Sequence, residues 1–130
     1  MINNLDRFIQ GLWNWDPISE VLPGKARVGD IDGCLERRGK LLMLETKAPG
    51  AAIPTGQAIM FDNLRKTGVV STIIIWGRQN QPEAMEIYAQ NQICPKRPAT
   101  MDDVRAAVRQ WYTWASQQPR PEQRTHSPLL

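Results

Sequence analysis

The chain has few residues of the kinds that build disulfide frameworks, zinc centres or membrane spans. Its 130 residues include two cysteines and one histidine, too few for a disulfide scaffold or for a zinc site of four Cys or His ligands. No run approaches the ~20 apolar residues of a membrane-spanning helix. The first residues, MINNLDRF, lack the basic and apolar regions of a secretory signal. We therefore expect a soluble, intracellular protein with no membrane partner.

Length and charge narrow the possibilities further. A chain of 130 residues is long enough for one core and too short for two. We expect a single domain over residues 1–118 and a flexible C-terminal tail over 119–130, where periodicity is missing. From residue 95 onward there are six Lys or Arg and three Asp or Glu, whereas residues 1–94 hold ten of each. This surplus suits a polyanionic partner, although many ordinary domains carry one.

The most informative stretch runs from Asp30 to Lys47 and reads DIDGCLERRGKLLMLETK. Arg38-Gly39 separates two apolar runs, and a Gly at the second central position favours a two-residue hairpin turn. Two antiparallel strands are therefore predicted, with Arg37 opposite Lys40. Because apolar residues fall on both faces, we expect an interior hairpin with its acidic residues at the edge of a core.

Acidic residues meet at the open end of this hairpin. In the predicted register Asp32 faces Glu45 and Asp30 faces Lys47, and all four side chains project from one face, with opposed Cβ atoms roughly 4.5–5.5 Å apart. Three carboxylates beside one lysine leave negative charge unpaired unless a cation or protons neutralise it. Mg²⁺ is held by one or two carboxylates together with waters and phosphate oxygens. The pattern predicts a divalent-metal site; a solvated polar rim is the alternative.

A helix and a strand are predicted to follow the hairpin. Thr55 is a candidate N-cap for a helix over 56–66, with Gly68 at its C-cap position. Gln57 lies on the inward side of this helix and needs a polar partner, which a water at the site, Lys47 or a phosphate could supply; a hydrogen bond to nearby backbone is the alternative. The run over 69–76, VVSTIIIW, is the strongest strand signal. Strand, helix and strand in this length indicate a parallel pair with helices on both sheet faces.

Weaker signals place the remaining elements. They are a helix over 4–13, a short helix with Asp16 as N-cap, a short edge strand over 83–89, and a helix from Thr100 to about Ser116 with Asp103 at N3. The aromatic residues of the last helix are expected in the core or in a dimer contact.

The combination of an Asp, a Glu-x-Lys thirteen residues later and a following helix with a Gln resembles the PD-(D/E)XK nuclease superfamily. The matching residues are Asp32, Glu45, Thr46, Lys47 and Gln57. The segment GDIDGCLERRGKLLMLETKAPG followed by PTGQ is most similar to small stand-alone nuclease-like proteins of bacteriophages. It also resembles VRR-NUC domains and archaeal-type Holliday junction resolvases. The likeness covers about residues 16–77.

This resemblance implies a restriction-endonuclease-like α/β core, in which an antiparallel hairpin and a parallel crossover strand form a mixed central sheet flanked by helices on both faces. It implies Mg²⁺ or Mn²⁺ held by Asp32, Glu45 and the Thr46 carbonyl. Lys47 would position the attacking water and stabilise developing charge, with Gln57 beside it. The implied activity is metal-dependent DNA cleavage, selective for branched or junction DNA, in phage DNA metabolism within the bacterial cytoplasm. A homodimer would suit junctions.

Five further residues are candidates for supporting roles. Glu20 is the candidate for an additional catalytic Glu that many superfamily members carry before the hairpin; a solvated first-turn acid is the alternative. Lys25, Arg27 and Lys66 are candidate nucleic-acid contacts, and simple surface charges otherwise. Asp30 is an acid just outside the direct metal ligands, an optional ligand of a second metal ion or a structural partner of Lys47. The competing function is a catalytically inactive nuclease-fold module that binds nucleic acid or a host protein.

Overall fold

The computed structural model describes residues 11–122, and the chain divides into two compact units, Met1–Asp30 and Ile31–Leu130. Most of the helix predicted over 4–13 lies outside the described residues, as does 123–130 of the predicted tail. The assignment of 1–118 to one domain stays a prediction, and each unit is described by itself.

The first unit contains one short helix, α1 (Asp16–Ser19). Its N-cap is Trp15, so the prediction of Asp16 as the cap is wrong by one position: Asp16 is the first helical residue. The indole Nε1 of Trp15 donates a hydrogen bond of 2.8 Å to Oδ1 of Asp30. Asp30 therefore has a polar partner within its own unit.

The second unit is an α/β structure built on one five-stranded mixed sheet. Its elements are β1 (Gly33–Arg37), β2 (Lys40–Lys47), α2 (Thr55–Lys66), β3 (Val70–Arg78), β4 (Gln81–Ala89), β5 (Gln92–Pro98) and α3 (Met101–Ser116). The strands lie side by side in chain order, from β1 to β5. β2 and β3 are parallel, and the other neighbours are antiparallel. The α/β class, the hairpin and the parallel crossover pair are thereby confirmed.

The β1–β2 hairpin has the predicted turn and register. Arg38 and Gly39 both have positive φ, 52° and 80°, as a two-residue turn that matches the twist of its strands requires. Arg37 pairs with Lys40, and the same register continues to the start of β1. The expectation of an interior hairpin is wrong for β1, because it is an edge strand and its Cys34 is exposed.

Each face of the sheet carries one helix. On the first face, α2 packs through Phe61 and Leu64; on the second, α3 packs through Val104, Trp111 and Ala115. The sheet residues of the first core are Met43, Ile74, Trp76 and Tyr88, and those of the second are Leu42, Ile73 and Met85. Consecutive residues of β2 and β3 thus enter opposite cores, because side chains alternate along a strand.

The two helices begin differently. Thr100 and Asp103 form the predicted capping box: Asp103 N donates to Thr100 Oγ1 (3.3 Å) and Thr100 N donates to the Asp103 carboxylate (2.8 Å). Thr55, in contrast, is the first helical residue of α2, and Pro54 is the N-cap. The Thr55 cap prediction is wrong because proline already fixes the extended entry into the helix. Gly68, one residue beyond the C-cap, has the positive φ of 76° expected where a helix ends.

The distal half of the sheet differs from expectation. The strand predicted over 83–89 is longer, Gln81–Ala89, and is covered by β5, so it is not the edge. β5 was not predicted. Its sequence QICPKRP contains two prolines and lacks alternation, and proline in a sheet is confined largely to edge strands. Among residues 11–122, none of the helices combines the length and apolar character that a membrane crossing needs.

Candidate active site at the open end of the β1–β2 hairpin

Glu45, Thr46 and Lys47 are the last three residues of β2. In the parallel pairing with β3, Glu45 lies beside Ile74 and Lys47 beside Trp76. Residues two apart share a face of a strand, so Glu45 and Lys47 both project from the face that α2 covers. The strand thus delivers one carboxylate and one ammonium to the same side of the sheet end.

Asp32 lies one residue before β1 and is tied to β2 across the hairpin. Its Oδ2 accepts two hydrogen bonds from Thr46, one from the backbone N (2.8 Å) and one from Oγ1 (3.1 Å). Within the described part of the chain, no hydrogen bond reaches its other carboxylate oxygen, Oδ1. These bonds hold Asp32 beside the end of β2 and leave one oxygen open for a ligand.

Glu45 is a buried acid in an unfavourable electrostatic position. Its side chain belongs to a residue only 5% exposed. Burial raises the pKa of Glu45 above its usual value, and the negative charge of Asp32 raises it further, whereas the positive charge of Lys47 and the backbone N–H of Asp32 lower it. The effects that raise the pKa outweigh those that lower it, so the nearby positive charge does not offset the burial of Glu45 and the negative charge of Asp32.

Lys47 has a neutral partner. Its Nζ donates a hydrogen bond of 2.6 Å to Oε1 of Gln57, which lies in the first turn of α2. Among the ion pairs of residues 11–122, none involves Lys47. The inward-facing amide of Gln57 therefore lies where the sequence places it, while its catalytic role stays a prediction. A lysine oriented by an amide keeps its charge available for an incoming anion.

Two neighbours of this site were missed from the sequence. Trp76, beside Lys47, is only 3% exposed, and its Nε1 donates a hydrogen bond of 2.6 Å to the carbonyl oxygen of Ala51. The Nζ of Lys96, from β5, lies 4.1 Å from the centroid of the Trp76 ring. The apolar run over 69–76 signals a buried Trp76, but no local pattern brings Lys96 to it, because that contact depends on the unpredicted strand.

Open space adjoins the end of β2. A cavity of about 500 Å³ lies there. Its lining includes Thr46, Lys47, Ile75, Gly77, Arg78 and Asn80. Met101 and Val104 of α3 also line it, and Ile75 belongs to the α3 core, so the cavity adjoins the end of β2 from the sheet face opposite to Glu45 and Lys47.

Of the other sequence candidates, one lies in the second unit. Lys66 ends α2 and pairs with Asp62 at 2.9 Å, so its charge is partly neutralised. The remaining candidates belong to the first unit and are Glu20, Lys25, Arg27 and Asp30. In the region from 11 to 122, no three Cys, His, Asp or Glu side chains come together as a metal-binding group. A third carboxylate beside Asp32 and Glu45 is therefore not confirmed.

The donors at the site still fit Mg²⁺ or Mn²⁺. Both ions prefer oxygen ligands, and Mg²⁺ needs only one or two carboxylates when waters and phosphate oxygens complete its shell. Asp32 and Glu45 supply the two carboxylates, and the Thr46 carbonyl is adjacent in the chain. The raised pKa of Glu45 points the same way: burial is the larger cause and the charge of Asp32 the second, and a bound cation would stabilise the charged form against both.

Comparison of the chain with protein-family models, with curated proteins and with solved structures finds no significant match.

Proposed function

We propose that this chain is a metal-dependent DNA endonuclease of the PD-(D/E)XK type, built on a restriction-endonuclease-like core. The observation that carries the proposal is the buried Glu45 beside Asp32, with Lys47 two residues further on and held by Gln57. The parallel crossover from β2 through α2 to β3 supports the core. Branched or junction DNA is the substrate that the resemblance implies.

Each residue has a defined part in phosphodiester hydrolysis. Asp32 and Glu45, with the Thr46 carbonyl, would hold Mg²⁺ or Mn²⁺. When bound, such an ion lowers the pKa of a coordinated water and neutralises phosphate oxygens. The Lys47 ammonium binds a non-bridging phosphate oxygen and stabilises the charge that grows on the pentacovalent transition state. Gln57 keeps that ammonium in place, which limits the reorganisation needed during reaction.

Cleavage assays test the proposal. Plasmid, single-stranded, flap and four-way-junction DNA are incubated with the protein in Mg²⁺, Mn²⁺ or EDTA. We expect metal-dependent cutting that Glu45→Ala or Lys47→Ala abolishes while circular dichroism shows a folded protein. Glu83→Ala, an exposed acid on β4, is the matched control and should cut normally. Cutting that persists in EDTA, or in both site variants, would overturn the proposal.

One observation favours the second candidate, an inactive nuclease-fold module that binds nucleic acid or a host protein. Asp32 already accepts two hydrogen bonds from Thr46, an arrangement that also serves a purely structural acid. The two candidates differ in a simple way. A module would bind DNA or protein without cutting DNA in either metal, and Glu45→Ala would leave that binding unchanged.

A further inference from the structure

Lys96 is an exposed lysine whose ammonium is held in place by an aromatic ring. Its Nζ lies 4.1 Å from the centroid of the Trp76 ring, well within the range of a cation–π interaction. Trp76 is itself fixed, since it is buried and its Nε1 bonds to Ala51 O. A side chain with four rotatable bonds is thus restrained before any ligand arrives, which lowers the entropy cost of binding one.

No carboxylate neutralises this ammonium by a direct ion pair within the described region. Glu86, on the neighbouring strand β4, accepts a hydrogen bond from the backbone N of Lys96 at 3.1 Å. The Glu86 carboxylate also acts on Tyr88: together with burial, which is the larger cause, it raises the pKa of that phenol to about 12. Glu86 is therefore engaged by groups other than the Lys96 ammonium.

Lys96 lies on the same face of the sheet as the candidate site. Lys47 and Trp76 are directly paired across β2 and β3, and Lys96 covers the ring of that same Trp76. Two lysines thus neighbour Trp76 on one sheet face, and each ammonium contacts a neutral group, Gln57 for Lys47 and the Trp76 ring for Lys96. Neither ammonium has a carboxylate within ion-pair distance among the described residues, and lysines on one surface bind the phosphates of a nucleic-acid backbone.

We propose that Lys96 binds a backbone phosphate of DNA flanking the one presented to Lys47, an inference that rests on the proposed nuclease function. Lys96 is a substrate-positioning residue in this scheme and takes no part in the chemistry. Trp76 serves as its platform.

Binding measured without cleavage tests this assignment. Fluorescence anisotropy of labelled single-stranded and duplex DNA in EDTA, over a series of salt concentrations, compares wild type with Lys96→Met and Lys96→Arg. Lys96→Met keeps an apolar stem over Trp76 and removes the charge. The matched control is Arg109→Gln, which removes one exposed positive charge from α3 on the opposite sheet face. Circular dichroism melting confirms that each variant is folded.

We expect Lys96→Met to weaken binding by up to about fivefold at low salt, with a fall of about 0.9 in the log–log salt slope for duplex DNA or about 0.7 for single strands. Lys96→Arg should restore both, and Arg109→Gln should change neither. The inference is overturned if Lys96→Met binds DNA as tightly as wild type, or if Arg109→Gln loses as much DNA affinity as Lys96→Met. This holds even if the protein cuts DNA. Lys96-dependent binding by a protein that never cuts would support the phosphate contact and reject the endonuclease.

Discussion

Glu45→Gln gives the sharpest test of whether Glu45 is a functional or a structural acid. The substitution keeps the size and the acceptor oxygen of the side chain, and it removes a buried charge beside Asp32. Because burial and Asp32 raise the pKa of Glu45 more than Lys47 and the Asp32 N–H lower it, the charged form destabilises the folded chain. We therefore expect the variant to be more stable than wild type in EDTA at pH 7, yet inactive.

The size of this gain follows from relieving one like-charge contact in a partly desolvated site, on the order of 1 kcal/mol. For a protein of this length that corresponds to about 4 °C in melting temperature. A folded-state pKa above the usual value of 4.5 means that wild-type stability falls as pH rises from 4.5 through that raised pKa. The advantage of Glu45→Gln thus grows as pH rises above 4.5 through the raised pKa and disappears below pH 4.5.

Thermal unfolding from pH 4 to pH 8, with and without Mg²⁺, measures both effects. At a Mg²⁺ concentration ten times its dissociation constant, wild type should gain about 1.4 kcal/mol, whereas Glu45→Gln should gain much less. Glu83→Gln, an exposed acid, provides the baseline. If Glu45→Gln is destabilised by 1 kcal/mol or more at pH 7 in EDTA, the attraction to Lys47 dominates and the reasoning about Glu45 fails.

Two more substitutions probe neighbouring parts of the chain. Gln57→Ala should lower the single-turnover cleavage rate on the order of tenfold, because Lys47 loses the amide that orients it; an unchanged rate would mean that this hydrogen bond is incidental. Thr100→Ala removes the capping box of α3 and should lower the free energy of unfolding by about 1 kcal/mol in urea titrations, with cleavage unaffected; a neutral result would show that water replaces the cap.

The parts of the fold that sequence reasoning predicted are those fixed by local chemistry. Gly39 determines the hairpin turn because glycine adopts a positive φ without steric cost, and the resulting register places Asp32 near the end of β2. The parallel pairing of β2 and β3 follows from the length of the connection through α2. In each case a short segment contains the whole physical cause.

The parts that were missed depend on which strand lies next to which. Nothing in residues 33–37 indicates that β1 is an edge, and the exposure of Cys34 follows only from the sheet order. β5 was not predicted because its two prolines argue against a strand. Proline is nevertheless tolerated in an edge strand, where one side has no neighbour. The pairing of β1 with β2 begins at Gly33, so the predicted opposition of Asp30 and Lys47 lies beyond the paired strands and stays a prediction.

The candidate site also has a part that local sequence determines and a part that depends on strand order. Glu45 and Lys47 come from one strand, so their shared face is a property of the sequence, whereas the contact of Lys96 with Trp76 requires β3, β4 and β5 to pair correctly. A motif of two acids and a lysine could persist on a scaffold that no longer works. The Lys96 ammonium lies on the same face, and its contact with the Trp76 ring is the one structural reason the described residues give for its position. Weaker DNA binding by Lys96→Met, with a smaller salt slope, would therefore argue that the whole face, and not the motif alone, binds phosphate.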